Sequence, residues 1–108
     1  SKDMNVNKLE IPIELMSVKQ IKDKSGNHIK FTMSMKVCYS LIKSMIDANG
    51  EWQTSYQNIA DHVGMKARQV QDNIKTLDEC GLVEFKKTEN NRTTYTRVNC
   101  VSGCYENP

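Results

Sequence analysis

Within the stretch 66–76 the chain sets Lys66, Arg68, Gln69, Gln71, Asp72, Lys75 and Thr76 among apolar residues that recur every three or four positions. These side chains can read the edges of base pairs. Arginine or lysine donates to the two acceptors of guanine, glutamine matches the acceptor and donor of adenine, and Asp72 can accept from the amino group of cytosine. A face built only to hold phosphates would have no use for Asp72. Lys86, Lys87, Arg92 and Arg97 follow, opposed by Glu84 and Glu89, and long cations on a loop reach phosphates or a minor groove readily. Residue types alone do not decide the matter. Any soluble helix turns Arg, Gln, Asp and Lys outward, and lysines on edge strands also discourage aggregation.

The elements that must carry these residues are more telling. Val70, Ile74 and Leu77 predict a helix over 66–79, with Arg68, Asp72, Lys75 and Glu79 on the opposite face at about 100° per residue. Upstream, Ile59, Ala60 and Val63 share one face of a helix that Ser55 caps and Gly64 ends, because glycine enters the left-handed conformation without steric cost. So few residues separate the two helices that they are expected to cross rather than lie antiparallel. In a crossed pair, Lys66 and Arg68 occupy the helical turn presented to a major groove. Ser55 and Tyr56, at the start of the preceding helix, then stand near a phosphate strand.

After Gly81 the period changes from helical to alternating. "LVEFKK" and "TTYTRV" predict two strands joined by "TENNR", where Asn90-Asn91 suits a tight turn. A further helix over 34–49 follows from Val37, Leu41 and Met45, with Ser34 as its expected cap and Asn49-Gly50 as its stop. Trp52 is expected to plug the core across the helix ends.

The predicted architecture is therefore α+β: three helices and a C-terminal β-hairpin, the layout of a winged helix-turn-helix. It occupies 34–99, with the recognition helix at 66–79 and the wing at 86–97. Residues 1–33 form an N-terminal extension and 100–108 a tail. In the extension, Ser25-Gly26-Asn27 predicts a hairpin turn flanked by Lys19, Lys22, Lys24 and Lys30, with a short helix within 11–24 as the alternative.

At 108 residues, with 38% hydrophobic and 26% charged side chains, the chain reads as one soluble domain with a modest core. A net charge of +2 excludes a histone-like electrostatic binder, but not a protein whose cations are gathered on one surface. No apolar run approaches the ~20 residues of a membrane span, and the first ten residues lack the apolar core of a signal peptide. The expected location is the cytoplasm. Cys38, Cys80, Cys100 and Cys104 are then expected as reduced thiols, the last two spaced unlike a zinc ribbon. No cofactor or metal is expected. Nor is catalysis, since the chain has no glycine-rich phosphate cradle, metal-binding helix motif or nucleophile elbow.

The stretch "MSMKVCYSLIKSMIDANGEWQTSYQNIADHVGMKARQVQDNIKTLDECGLVEF" resembles the helix-turn-helix domain of phage and plasmid replication proteins. The likeness runs through the Met35–Ile46 lead helix, the Gly50 stop, Ser55 ahead of "IADHVG", Arg68-Gln69-Val70, Ile74, Leu77 and Gly81-Leu82. Bacterial winged-helix transcription regulators share most of this pattern. The resemblance implies origin or operator binding on double-stranded DNA, in a homodimer or beside other replication proteins. A dimeric transcriptional regulator is the first alternative. A winged helix used for protein–protein contact is the second.

Overall fold

The longest helix starts at Thr32. Its Oγ1 accepts from the Met35 amide at 3.3 Å and caps α2 (Met33–Asn49), so Ser34, the expected cap, lies inside the helix. The computed structural model describes residues 6–87 and 90–101. Before α2 come α1 (Ile13–Met16), β1 (Gln20–Lys22) and β2 (His28–Lys30). After it come β3 (Trp52–Thr54), α3 (Tyr56–Val63), α4 (Ala67–Glu79), β4 (Val83–Lys87) and β5 (Thr93–Val98). The protein is thus α+β, with four helices among the described residues where three were expected. β1 and β2 form one antiparallel sheet, and a second antiparallel sheet has the order β3-β5-β4.

The extension holds both structures that its sequence left open. α1 is a single turn behind Pro12, and the hairpin follows it. The turn is organised by Asp23, whose carboxylate accepts from the amides of Ser25 at 2.9 Å and Asn27 at 2.8 Å and from the Asn27 side chain at 3.1 Å. The backbone N–H of Asn27, more than any other group, holds the Asp23 carboxyl below its ordinary pKa. A depressed acid contributes stability above its unfolded pKa of about 4 and loses it as pH falls through the folded value. Wild type is therefore expected to melt above Asp23→Ala at neutral pH, with the gap narrowing as the solution is acidified below about pH 4. A gap independent of pH would contradict this role.

One core unites the extension with the rest. Val18, Ile21 and Phe31 are buried in the same cluster as Ile42, Met45, Ile59, Ile74, Leu77, Leu82 and Tyr95. Lys36 is buried among them at 4% exposure. Its Nζ donates to the Met16 carbonyl at 2.7 Å and stands 5.2 Å from the centre of the Phe31 ring. Burial pulls its pKa below the ordinary lysine value. Cys38 and Cys80 are also buried, as small hydrophobes; Cys104 lies outside the described residues.

Trp52 belongs to a strand. It pairs with Tyr95 across β3 and β5, ring centroids 6.0 Å apart, and remains 4% exposed. It does fill the core, but from a sheet rather than from across helix ends. β4 and β5 pair from Val83↔Val98 to Lys87↔Thr93, with an irregularity between Glu84 and Phe85. In the connecting loop Asn90 and Asn91 both take positive φ, 67° and 61°, which asparagine tolerates better than most residues. Glu89 lies outside the described residues.

Candidate nucleic-acid interface

The rotation of α4 is set by Val70, Ile74 and Leu77, each 0% exposed. α3 fixes where it starts. The Ser55 hydroxyl accepts from the Asn58 amide at 3.1 Å, and Gly64 ends α3 in the left-handed conformation at φ 71°. Met65 and Lys66 then lead directly into α4. At the far end, Leu82 N donates to Leu77 O and Gly81 N to Asp78 O, closing α4 before β4 begins.

With the apolar stripe buried, Lys66, Arg68, Gln69, Gln71, Asp72 and Lys75 are all exposed, as their spacing predicts. Arg68 Nε lies 3.3 Å from Asp72 Oδ1, with side chains 83% and 62% exposed. An exposed pair of this kind is worth about 0.3–0.5 kcal/mol, so it aligns Arg68 without holding it back from a stronger partner. Asp72 therefore also orients its neighbour, a role not visible in the residue type. Thr76 is half-buried on a shoulder of α4, its hydroxyl donating back along the helix to the Asp72 carbonyl at 3.1 Å. It is a weak candidate for base contact.

Asn73 was not singled out by its sequence, yet it positions α4. Its Nδ2 donates to Ser34 Oγ on α2 at 3.2 Å and lies 3.7 Å from Cys38 Sγ and 3.9 Å from Met65 Sδ. Burial pushes the Cys38 thiol pKa up, with the Asn73 contact acting against it. The amide joins the two helices within a mostly apolar contact, and removing it leaves Ser34 without that donor. Asn73→Ala is expected to lower unfolding stability by about 1–2 kcal/mol. Urea unfolding measures it; an unchanged midpoint would remove Asn73 from this role.

The other predicted contacts divide. Ser55 is committed as a helix cap, and Tyr56 is half-buried against the core. Lys86 and Lys87 are exposed on β4. Arg97 is 70% exposed, 4.0 Å from the Glu84 carboxylate, which also accepts from Asn99 at 3.0 Å. Arg92 is half-buried and donates to the Gln53 carbonyl at 3.2 Å, tying the loop to β3. The structure thus brings Arg68, Asp72 and Lys75 onto the outward face of α4, with Gln69 and Gln71 on its two shoulders. Lys66 is at the N-cap, just outside the helix that was expected to begin there, and Lys86, Lys87 and Arg97 are left exposed on the following hairpin. Thr76, Ser55 and Arg92 are tied into the fold itself.

Among the described residues no helix is long and apolar enough to cross a membrane. Compared with known proteins, the sequence matches no family model and no curated protein.

Proposed function

We propose that the chain is a winged helix-turn-helix that binds double-stranded DNA by sequence, with α4 in the major groove and the β4–β5 hairpin on the backbone or in the minor groove. One observation supports this above the others. The outward face of α4 carries donors and acceptors suited to base edges, while Val70, Ile74 and Leu77 on its opposite face leave no exposed surface. The short α3–Gly64–α4 connection and the basic hairpin after it supply the usual supports of such a helix.

The resemblance to phage and plasmid replication proteins favours origin binding for replication initiation in the bacterial cytoplasm; operator binding by a dimer uses the same surface. A second copy or another replication protein has one observation in its favour. Ile13, Met16 and Met33 are large apolar side chains left exposed, at 80%, 46% and 49%, all in or beside the first two helices rather than on α4.

Selection of bound duplexes from a random pool tests the reading. A shared motif is expected, with affinity for it falling as salt rises at a log–log slope of about −0.9 per phosphate contacted. Recovery of unrelated sequences, or binding that ignores salt, would contradict it. Iterated motifs point to an origin and a single palindrome to an operator.

A further inference from the structure

We infer that the β1–β2 hairpin is a second phosphate-binding surface that holds the DNA backbone beside the groove entered by α4; this rests on the DNA-binding reading above. The first observation is charge. Residues 19–30 contain four lysines and one aspartate, more positive charge than the +2 of the entire chain. The one acid, Asp23, is engaged within the turn by Ser25 and Asn27.

The second observation is that these cations ride on a fixed element. Ile21 and Phe31 are 0% and 3% exposed in the common core. The hairpin tip is tied to α4 itself, where the Lys24 amide donates to the Glu79 carbonyl at 2.9 Å. Lys19, Lys24 and Lys30 are exposed around this anchored frame. A preorganised cation gives up less conformational freedom on meeting a phosphate than one on a loose arm.

Placement is the third. The 13 residues of α4 span roughly 20 Å, so a helix lying in the major groove brings its last turn to the phosphate ridge. Glu79, at that end, would by itself repel the strand, and the hairpin brings Lys24 alongside it. Lys24, at the tip beside α4, is placed to meet phosphates that flank the bases read by α4. Lys19 and Lys30, on opposite faces at the base of the hairpin, offer a second cation whichever face the strand follows. They add affinity without adding sequence preference, because phosphate contacts carry no base information.

The rival explanation is that lysines merely protect the edges of a two-stranded sheet from pairing with other chains. The triple variant Lys19→Gln, Lys24→Gln, Lys30→Gln separates the two, since all three side chains are exposed and the Lys24 backbone bond is retained. Its thermal midpoint is compared with wild type as a folding control. Binding is measured across a potassium chloride series on two duplexes carrying the selected motif. One extends about one helical turn beyond it on each side, ~10 base pairs, and one is trimmed to the motif.

On the extended duplex the variant's log–log salt slope is expected to be shallower by about 1–2, at about 0.9 per lost phosphate. On the trimmed duplex the two proteins should coincide, and the preferred motif should not change. Equal slopes on the extended duplex would overturn this inference alone, as would a difference that persists on the trimmed one. A folded wild type that binds neither duplex would overturn the DNA-binding reading and this inference with it.

Discussion

Trp52→Ala is expected to lower unfolding stability by about 3–5 kcal/mol, the range for removing a large buried aromatic ring. Trp52 is 4% exposed, and its loss opens a void beside Tyr95, which is itself 0% exposed and also meets the tilted Phe85 ring at 5.9 Å between centroids. The void sits where β3 meets β5, so the β4–β5 hairpin should loosen with it. Trp52→Phe should cost far less. The Trp52 Nε1 is buried with no hydrogen-bond partner, and phenylalanine keeps an aromatic ring there while removing that orphaned donor. Urea unfolding of both variants decides. A loss below about 1 kcal/mol for the alanine variant would show that the ring does not hold the sheet to the helices.

The second large effect is on binding. Arg68→Ala is expected to weaken affinity for the selected motif by about 1–3 kcal/mol and relax preference at one base pair. Stability should barely change, because the Arg68–Asp72 pair is exposed. Lys87→Ala provides the contrast. It should weaken all sequences alike and make the salt slope shallower by about 0.9. Lys87 is a cleaner probe of the wing than Arg92, whose bond to the Gln53 carbonyl mixes binding with loop structure. Unchanged affinity and unchanged base preference in Arg68→Ala would remove the proposed docking of α4.

The parts legible in the sequence were those whose residues report on themselves. In α4, a stripe at Val70, Ile74 and Leu77 fixes which side is buried and hence which side Arg68 and Lys75 occupy. Gly64 and Gly81 mark helix ends because both have positive φ, 71° in each case. What escaped depends on partners far along the chain. β3 is three residues long and exists because β5 supplies its hydrogen bonds; so short a run shows no alternation to detect. Lysine is almost never buried without a partner, and the partners of Lys36 are Phe31 and a carbonyl of Met16, the latter twenty residues away along the chain on the single turn of α1.

Thr32 and Ser34 both offer a hydroxyl near the start of α2. Only the fold shows that Ser34 accepts from Asn73 while Thr32 caps the helix. The candidate site divides in the same way. Side chains on the outward face of a helix follow from periodicity, whereas the bonds that Thr76, Ser55 and Arg92 make to the backbone follow from geometry.

Whether α4 meets DNA is decided by amide chemical-shift mapping of the labelled protein titrated with a selected duplex. Shifts and broadening should gather at residues 66–76, with a second set at Lys86 and Lys87 and little change at Ile13, Met16 and Met33. The contradicting result is the reverse pattern: α4 unperturbed while residues 13–16 and 33 respond, which would place the partner on the exposed apolar side chains of α1 and the start of α2.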